Sequence, residues 1–161
     1  MTELVLFTDG SVHSESKTGI GGFLLLEKPY QFSEDFKDKI CLKHFENTSS
    51  TKLEIQTLLW ALSEVNITYY KLTVYTDSQN IISLPGRQKK LEQNGFMTSK
   101  NKLHENHLLY KELFNYLNEK NIEFIKIKGH QPKQNKEQED LLFSLVDKAV
   151  RKASRTLNSI K

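Results

Sequence analysis

The stretch of sequence that decides the fold is residues 3–27, ELVLFTDGSVHSESKTGIGGFLLLE, in which two apolar runs flank a polar segment. The first run, Glu3 to Thr8, is rich in Val, Leu and Phe and predicts a strand that stops at Asp9-Gly10. The second run, Ile20 to Glu27, predicts another strand, which begins among glycines and closes at Pro29. Two strands joined by so short a link favour an antiparallel pair at the start of a sheet.

A third strand and a change of hydrophobic period follow this pair. Lys39 to Phe45 alternates between two faces and predicts a strand that completes an antiparallel meander. From Leu53 to Val65 the apolar residues recur at helical spacing, and Thr51-x-x-Glu54 fits a capping box at the start of that helix. Further patterns predict strands over 71–76 and 122–128, a short helix from Asp77 to Pro85, a basic helical turn over 87–94, and helices over 103–117 and 138–157.

The order of these elements indicates an α/β fold. Three antiparallel strands come first and helix-linked strands follow, which predicts a five-stranded mixed sheet flanked by helices on both faces. The chain has 161 residues, of which 37% are hydrophobic and 27% are charged. This is enough to bury the core of a single domain, residues 1–161, and it excludes wholesale disorder.

Composition excludes several other protein classes. No apolar run is long enough to span a membrane, and the first residues lack the basic and apolar regions of a signal peptide. Cys41 is the only cysteine, which excludes an internal disulfide and a multi-cysteine zinc site. We therefore expect a cytoplasmic protein without a membrane partner.

Charge is distributed unevenly along the chain. Residues 1–80 contain 7 basic and 11 acidic residues, a net charge of −4, and residues 81–161 contain 16 and 9, a net charge of +7. An acidic half beside a basic half suits a protein that binds a polyanion next to a cluster of carboxylates. The overall charge of +3 does not by itself distinguish this interpretation from an ordinary mixed, solvated surface.

Four acidic residues stand where predicted strands end or predicted helices pass: Asp9, Glu54, Asp77 and Asp147. Each has an ordinary structural explanation. Asp9 could form a turn with the glycine after it, and Glu54 could complete the capping box. Asp77 could be the N-cap of the next helix, and Asp147 could pair with Arg151 four residues later.

The same four carboxylates also form a coherent chemical set. Mg²⁺ is a small, hard cation that prefers clustered carboxylate oxygens. Two such ions about 4 Å apart can stabilise both the attacking water and the leaving oxygen of a phosphodiester. The sequence offers no competing cluster of Cys and His for zinc. Metal-dependent phosphodiester hydrolysis is therefore the chemistry that this set favours.

With these residues identified, the sequence resembles type 1 ribonuclease H, the bacterial type within the ribonuclease-H-like superfamily. Five segments carry the resemblance and occur in the order typical of that family: Phe7-Thr8-Asp9-Gly10-Ser11, residues 49–54 (SSTKLE), Tyr75-Thr76-Asp77-Ser78-Gln79, Lys128-Gly129-His130 and Val146-Asp147-Lys148-Ala149. Any one of these motifs is common by accident, whereas their conjunction over nearly the whole chain is specific.

The resemblance implies an endonuclease that hydrolyses the RNA strand of RNA–DNA hybrids and leaves 5′-phosphate and 3′-hydroxyl ends. Asp9, Glu54, Asp77 and Asp147 match the family's catalytic, metal-binding carboxylates, which hold two Mg²⁺ ions with substrate, and Mn²⁺ can substitute. His130 matches a family histidine that helps proton transfer or product release. We expect a monomer whose partner is the hybrid itself.

Substrate contacts are implied at eight further positions: Gly10, Ser11, Ser50, Thr51, Gln79, Arg87, Lys89 and Lys90. Ser50 and Thr51 stand near the place where the family often has two asparagines, and helix capping is an equally good role for their hydroxyls. The three basic residues resemble a protrusion that grips the DNA strand in bacterial members, although its usual tryptophans are absent here. A charged cluster of this kind is also typical of a solvated helix face.

Two other functions and one other residue stay open as alternatives. A binding domain without catalysis would need basic residues rather than clustered acids, and an ATP-binding relative of the same fold would be expected to show a Gly-rich loop.

Asp140 lies seven residues before Asp147 and can share its helix face. We assign the fourth carboxylate to Asp147, because its surroundings resemble the family's last motif, whereas an acid at position 140 suits a helix start.

Overall fold

The computed structural model describes residues 2–128 and 137–160. Its strands and helices follow one another in the predicted order, with three strands first. The strands are β1 (Thr2–His13), β2 (Thr18–Glu27), β3 (Cys41–Phe45), β4 (Tyr69–Thr76) and β5 (Ile122–Lys126). The helices are α1 (Ser50–Glu64), α2 (Gln79–Gln93), α3 (His107–Glu119) and α4 (Gln138–Ile160), with a 3₁₀ helix at Glu34–Lys39. The predicted α/β class is thereby confirmed.

The strands form one mixed sheet in the order β3-β2-β1-β4-β5. β1 is antiparallel to β2, which is antiparallel to β3, whereas β1 is parallel to β4 and β4 is parallel to β5. The pairing of β1 with β4 reaches Phe7 opposite Tyr75. Asp9 and Asp77 each lie two residues beyond that last pair, so the topology brings both acids to the same edge of the sheet.

Helices cover both faces of the sheet, as predicted. Leu4 and Leu6 of β1 point into a core that α1, α2 and α3 complete, and Val5 and Phe7 point into a second core beneath α4. All four side chains are fully buried, because a central strand with helices on both faces has no exposed side. The continuous apolar run at the start of the chain is the sequence signature of this position.

The expected stop of the first strand at Asp9-Gly10 is wrong. β1 continues to His13, and Asp9 and Gly10 pair with Gly22 and Gly21 of β2, while the turn of the hairpin lies at residues 14–17. The glycines permit this because helices press on the ladder: a Cβ at Gly22 would lie 2.7 Å from Val150 Cγ2 of α4. Asp9 is therefore held in a rigid strand and not in a turn.

The capping box at Thr51 and Glu54 is also wrong. α1 begins at Ser50, one residue before Thr51, and its N-cap is Ser49, whose hydroxyl accepts a hydrogen bond from the Lys52 backbone N–H at 3.4 Å. The backbone of Ser49 is extended, which is the usual geometry of an N-cap. Glu54 is consequently free of any capping role and can turn towards the sheet.

The predicted break at Pro85-Gly86 does not occur either. α2 runs unbroken from Gln79 to Gln93 with Pro85 inside it. Leu84 and Leu91, seven residues apart, are both buried in the same core, and this packing holds the two halves of the helix in line. The basic residues therefore extend the helix that follows Asp77 and do not form a separate turn.

The remaining differences concern element ends. β3 begins at Cys41, since residues 34–39 form the 3₁₀ helix, and α3 begins at His107, since Met97 and Leu103 form an isolated bridge before it. β5 ends at Lys126, two residues earlier than predicted. Each shift falls where apolar periodicity is weak, so the pattern could not mark the boundary.

Candidate active site

Four acidic side chains from four different elements meet at the edge of the sheet where β4 ends. Asp9 lies on β1, Glu54 on α1, Asp77 directly after β4 and Asp147 on α4. A cavity of about 220 Å³ opens there, and the residues that line it are Thr8, Asp9, Gly10, Ser50, Glu54, Thr57, Thr76, Asp77 and Ile81. The first three carboxylates line this cavity directly, and the fourth reaches it through its contact with Asp9.

Asp9 is the most perturbed acid of the group. Burial is the main cause that raises its pKa to about 8, and the hydrogen bond that it shares with Asp147 and the negative charges of Asp77 and Asp147 contribute to the same shift. The backbone N–H of Gly10 opposes the shift only in part. Without a cation, Asp9 therefore holds a proton near neutral pH, because burial and the neighbouring acids disfavour its charged form.

Glu54 and Asp77 are perturbed in the same direction. Burial raises the pKa of both, and the neighbouring Asp77 charge adds to the shift at Glu54. The side chain of Asp77 is exposed to solvent, and its exposed surface lines the cavity. The N-cap role considered for Asp77 is wrong, since the N-cap of α2 is Ser78, whose hydroxyl accepts from the Ile81 backbone N–H at 3.2 Å.

Ser78 also holds one of the carboxylates, a role that the sequence analysis missed. Its side chain is buried, and its hydroxyl donates a hydrogen bond to Glu54 Oε2. One hydroxyl thus caps α2 and orients a carboxylate of α1. A serine just before a helix signals the cap, but the link to Glu54 joins residues 24 positions apart and leaves no trace in the sequence.

Asp147 forms the expected pair with Arg151 and also contacts the other acids. Its carboxylate pairs with Arg151 through two contacts, at 3.1 Å to Nη2 and 3.2 Å to Nε, and it shares the hydrogen bond with Asp9. Asp140 instead accepts a hydrogen bond from the Glu137 backbone N–H at 2.9 Å, at the start of α4. The structure therefore brings Asp147, and not Asp140, to the other carboxylates.

The donor set suits a hard divalent cation by its chemistry. The site offers carboxylate oxygens from Asp9, Glu54, Asp77 and Asp147. A cation bound there would offset the burial and the repulsion between acids that raise the pKa values of Asp9, Glu54 and Asp77. Within residues 2–128 and 137–160, however, no three Asp, Glu, His or Cys side chains already have the spacing of a metal site. The fit is one of ligand type and charge.

The residues implied as substrate contacts lie on two sides of the carboxylates. Gly10 and Ser50 line the cavity, Ser11 lies one residue further along β1, and Thr51 is exposed on the first turn of α1. Gln79 is the first residue of α2, and its Oε1 accepts a hydrogen bond from Lys126 Nζ at 2.8 Å. These positions surround the acids at the surface that a long substrate would cover.

The basic residues lie further along α2. Arg87 and Lys90 line a second cavity of about 650 Å³, formed with residues 94–104, whereas Lys89 is exposed beside it. Arg87 Nη1 lies 3.4 Å from Asn80 Oδ1 and donates to it. His130, the remaining predicted catalytic residue, falls outside the described residues.

Relatives of known identity match this chain along most of its length. The family model "RNase H" matches residues 1–152. Ribonuclease H of Caldicellulosiruptor saccharolyticus is 31% identical over 133 residues, which cover 81% of this chain and 86% of that protein. Ribonuclease H of Wolbachia pipientis wMel is 26% identical over 149 residues, which cover 92% and 95% of the two chains.

Solved structures share the fold at lower identity. The solution structure of the PFV RNase H domain has a TM-score of 0.72 at 24% identity and covers 96% of both chains. A foamy viral protease-reverse transcriptase in complex with an RNA/DNA hybrid has a TM-score of 0.66 at 14% identity, over 96% of this chain and 20% of that one. In the described part of this chain, no helix is both long and apolar enough to cross a membrane. The length of the family match and the relative at 31% identity show that the chain belongs to the ribonuclease H family, an endoribonuclease family.

Proposed function

We propose that this chain hydrolyses the RNA strand of RNA–DNA hybrids with two divalent cations, Mg²⁺ or Mn²⁺, and leaves 5′-phosphate and 3′-hydroxyl ends. The observation that carries the proposal is the meeting of carboxylates from β1, α1, the end of β4 and α4, where burial and the neighbouring acids together raise the pKa of Asp9 to about 8. Clustered carboxylates would repel a nucleic acid, so they can act on one only when cations bind between them and its phosphates.

The four acids would hold the cations, and other residues would hold the hybrid. When bound, the cations supply an activated water and stabilise the charge on the leaving oxygen. Ser78 orients Glu54 from the N-terminus of α2, and Arg151 orients Asp147 on α4. This fixes two of the carboxylates before substrate arrives, so that less ordering is needed during catalysis.

Binding would use residues on both sides of the acids. Gly10, Ser11, Ser50, Thr51 and Gln79 would face the strand that is cut, where the 2′-hydroxyl distinguishes RNA from DNA. Arg87, Lys89 and Lys90 would contact the backbone of the other strand by charge. His130 would assist proton transfer or product release.

A cleavage assay with labelled duplexes tests the proposal. The protein with Mg²⁺ should cut the RNA strand of a hybrid and leave duplex DNA, duplex RNA and single strands intact, and a chelator should abolish cutting. Products should be substrates for a phosphatase at the 5′ end and for polymerase extension at the 3′ end. The variant Asp77→Asn, which keeps shape and removes charge, should be inactive and folded.

Two outcomes would exclude the proposal. Cleavage that persists in chelator would exclude the metal mechanism, and tight binding of hybrids without cleavage under any divalent cation would favour a binding domain. Light scattering during size exclusion would test the further expectation that the chain acts as a monomer.

A further inference from the structure

Lys126 lies at the active edge of the sheet, although no motif in the sequence marks it. It is the last residue of β5 and pairs with Thr76, the last residue of β4, directly before Asp77. Because β4 and β5 are parallel, their C-terminal ends meet at one edge, so Lys126 is carried to the same place as that acid. Its side chain is exposed there.

The side chain of Lys126 makes a specific contact across the two strands. Its Nζ donates a hydrogen bond to Gln79 Oε1 at 2.8 Å, and the two residues are 47 positions apart in the chain. Its positive charge also lowers the pKa of Asp77 against the effect of burial, as expected for an ammonium group close to that carboxylate. Lys126 therefore contacts Gln79 directly and acts by charge on Asp77, which lines the cavity.

The chemistry of this contact fixes which way the Gln79 amide faces. An ammonium group has three donors and no acceptor, so it can only donate to the oxygen of the amide and not bond its N–H groups. The amide N–H groups then point away from Lys126. Among residues 2–128 and 137–160, no hydrogen bond occupies the amide nitrogen of Gln79, and the side chain is exposed.

We propose that Lys126 is a positioning residue that fixes the amide of Gln79, so that Gln79 presents N–H donors to acceptor atoms of the RNA–DNA hybrid. The proposal rests on the proposed function. The acceptors available on a nucleic acid are sugar and phosphate oxygens and the base atoms of the minor groove. With the opposite orientation, Gln79 would present its amide oxygen to phosphate oxygens, and these two negatively polarised groups would repel each other.

A double-mutant cycle separates this role from direct phosphate binding by Lys126. Hybrid affinity is measured by fluorescence anisotropy, in chelator so that no strand is cut, for the wild type, Lys126→Met, Gln79→Ala and the double variant. Each single change should weaken binding about fivefold, the effect of one net hydrogen bond, and the double variant should bind no worse than Gln79→Ala. Lys126→Arg, which keeps the donor, should restore most of the affinity.

The matched control is Lys71→Met, which removes one half-buried lysine near the N-terminal end of β4, where Lys71 pairs with Glu123 at 3.1 Å. It should leave hybrid affinity unchanged. If the losses from Lys126→Met and Gln79→Ala multiply to about 25-fold, Lys126 acts independently of Gln79 and the proposal is overturned.

A second readout needs no nucleic acid and so separates this proposal from the proposed function. The side-chain amide NMR signals of Gln79, identified by their loss in Gln79→Ala, should shift in Lys126→Met and not in Lys71→Met. Unchanged amide signals would overturn the proposal whatever the enzyme cuts. Absence of hybrid cleavage by the wild type with Mg²⁺ would instead exclude the proposed function, and the amide signals would still test the contact itself.

Discussion

At the scale of single residues, Asp9 makes the stability of the metal-free protein depend on pH. Its pKa is raised from 3.8 to about 8 by burial and by the neighbouring acids. An acid whose pKa is raised on folding stabilises the folded state at pH values below its pKa in the unfolded chain. This contribution is lost as the pH rises through its pKa in the folded state. The free energy of unfolding, measured by urea titration in chelator, should therefore fall between about pH 4 and pH 8.

The variant Asp9→Asn isolates this contribution, because it keeps the shape of the side chain and cannot ionise. Its unfolding free energy should vary less over the same pH window, whereas Glu15→Gln, at an exposed position in the hairpin turn, should behave as the wild type. If the unfolding free energy of Asp9→Asn fell with pH as steeply as that of the wild type, the pH dependence would not come from the raised pKa of Asp9.

Ser78 predicts a separation between stability and turnover. Ser78→Ala removes an N-cap and the hydrogen bond to Glu54, so it should cost about 1 kcal/mol of stability and lower kcat. Ser49→Ala removes the matching N-cap of α1, which holds no carboxylate, and should cost similar stability with kcat unchanged. Equal kcat in both variants would assign Ser78 to capping alone.

The fourth carboxylate is tested by two variants on α4. Asp147 contacts Asp9 and Arg151, so Asp147→Asn should lower turnover by orders of magnitude. Asp140 caps the start of the helix, so Asp140→Asn should cost about 0.3–1 kcal/mol of stability and keep turnover near that of the wild type. Steady-state kinetics and thermal melts of the two variants decide, and the reverse pattern would move the assignment to Asp140.

At the scale of secondary-structure elements, the unbroken helix α2 carries the basic residues on one rigid element that begins two residues after Asp77. Replacing Arg87, Lys89 and Lys90 by glutamine should weaken hybrid binding and reduce the slope of log affinity against log salt by up to about three, since fewer counterions are released. Lys37→Gln, on the 3₁₀ helix beneath the opposite face, is the control. An unchanged slope in the triple variant would show that α2 does not touch the backbone.

At the scale of the whole molecule, we expect the acid cluster to couple metal binding to folding. The carboxylates come from β1, α1, β4 and α4, so they are together only in the native state. Mg²⁺ should therefore raise Tm in calorimetry, with a size set by its concentration relative to Kd. The rise should disappear in Asp9→Asn and Asp77→Asn, and an equal rise in these variants would place the cation elsewhere.

Apolar periodicity alone predicted the sheet, its mixed pairing and its helices on both faces, because a buried strand and an amphipathic helix each leave a local pattern in the sequence. The acids Asp9, Glu54, Asp77 and Asp147 could also be named from their motifs. Their individual structural explanations were harder to judge, since a turn, a cap and a surface pair use the same residue types as a catalytic site.

Only the tertiary structure decided what these residues contact. Glycines in β2 let β1 continue past Asp9, and core packing of Leu84 and Leu91 carries α2 past Pro85. The hydrogen bonds from Ser78 to Glu54 and from Lys126 to Gln79 join residues 24 and 47 positions apart. Local sequence cannot specify such pairs, because the energy that forms them comes from the packing of separate elements against one sheet.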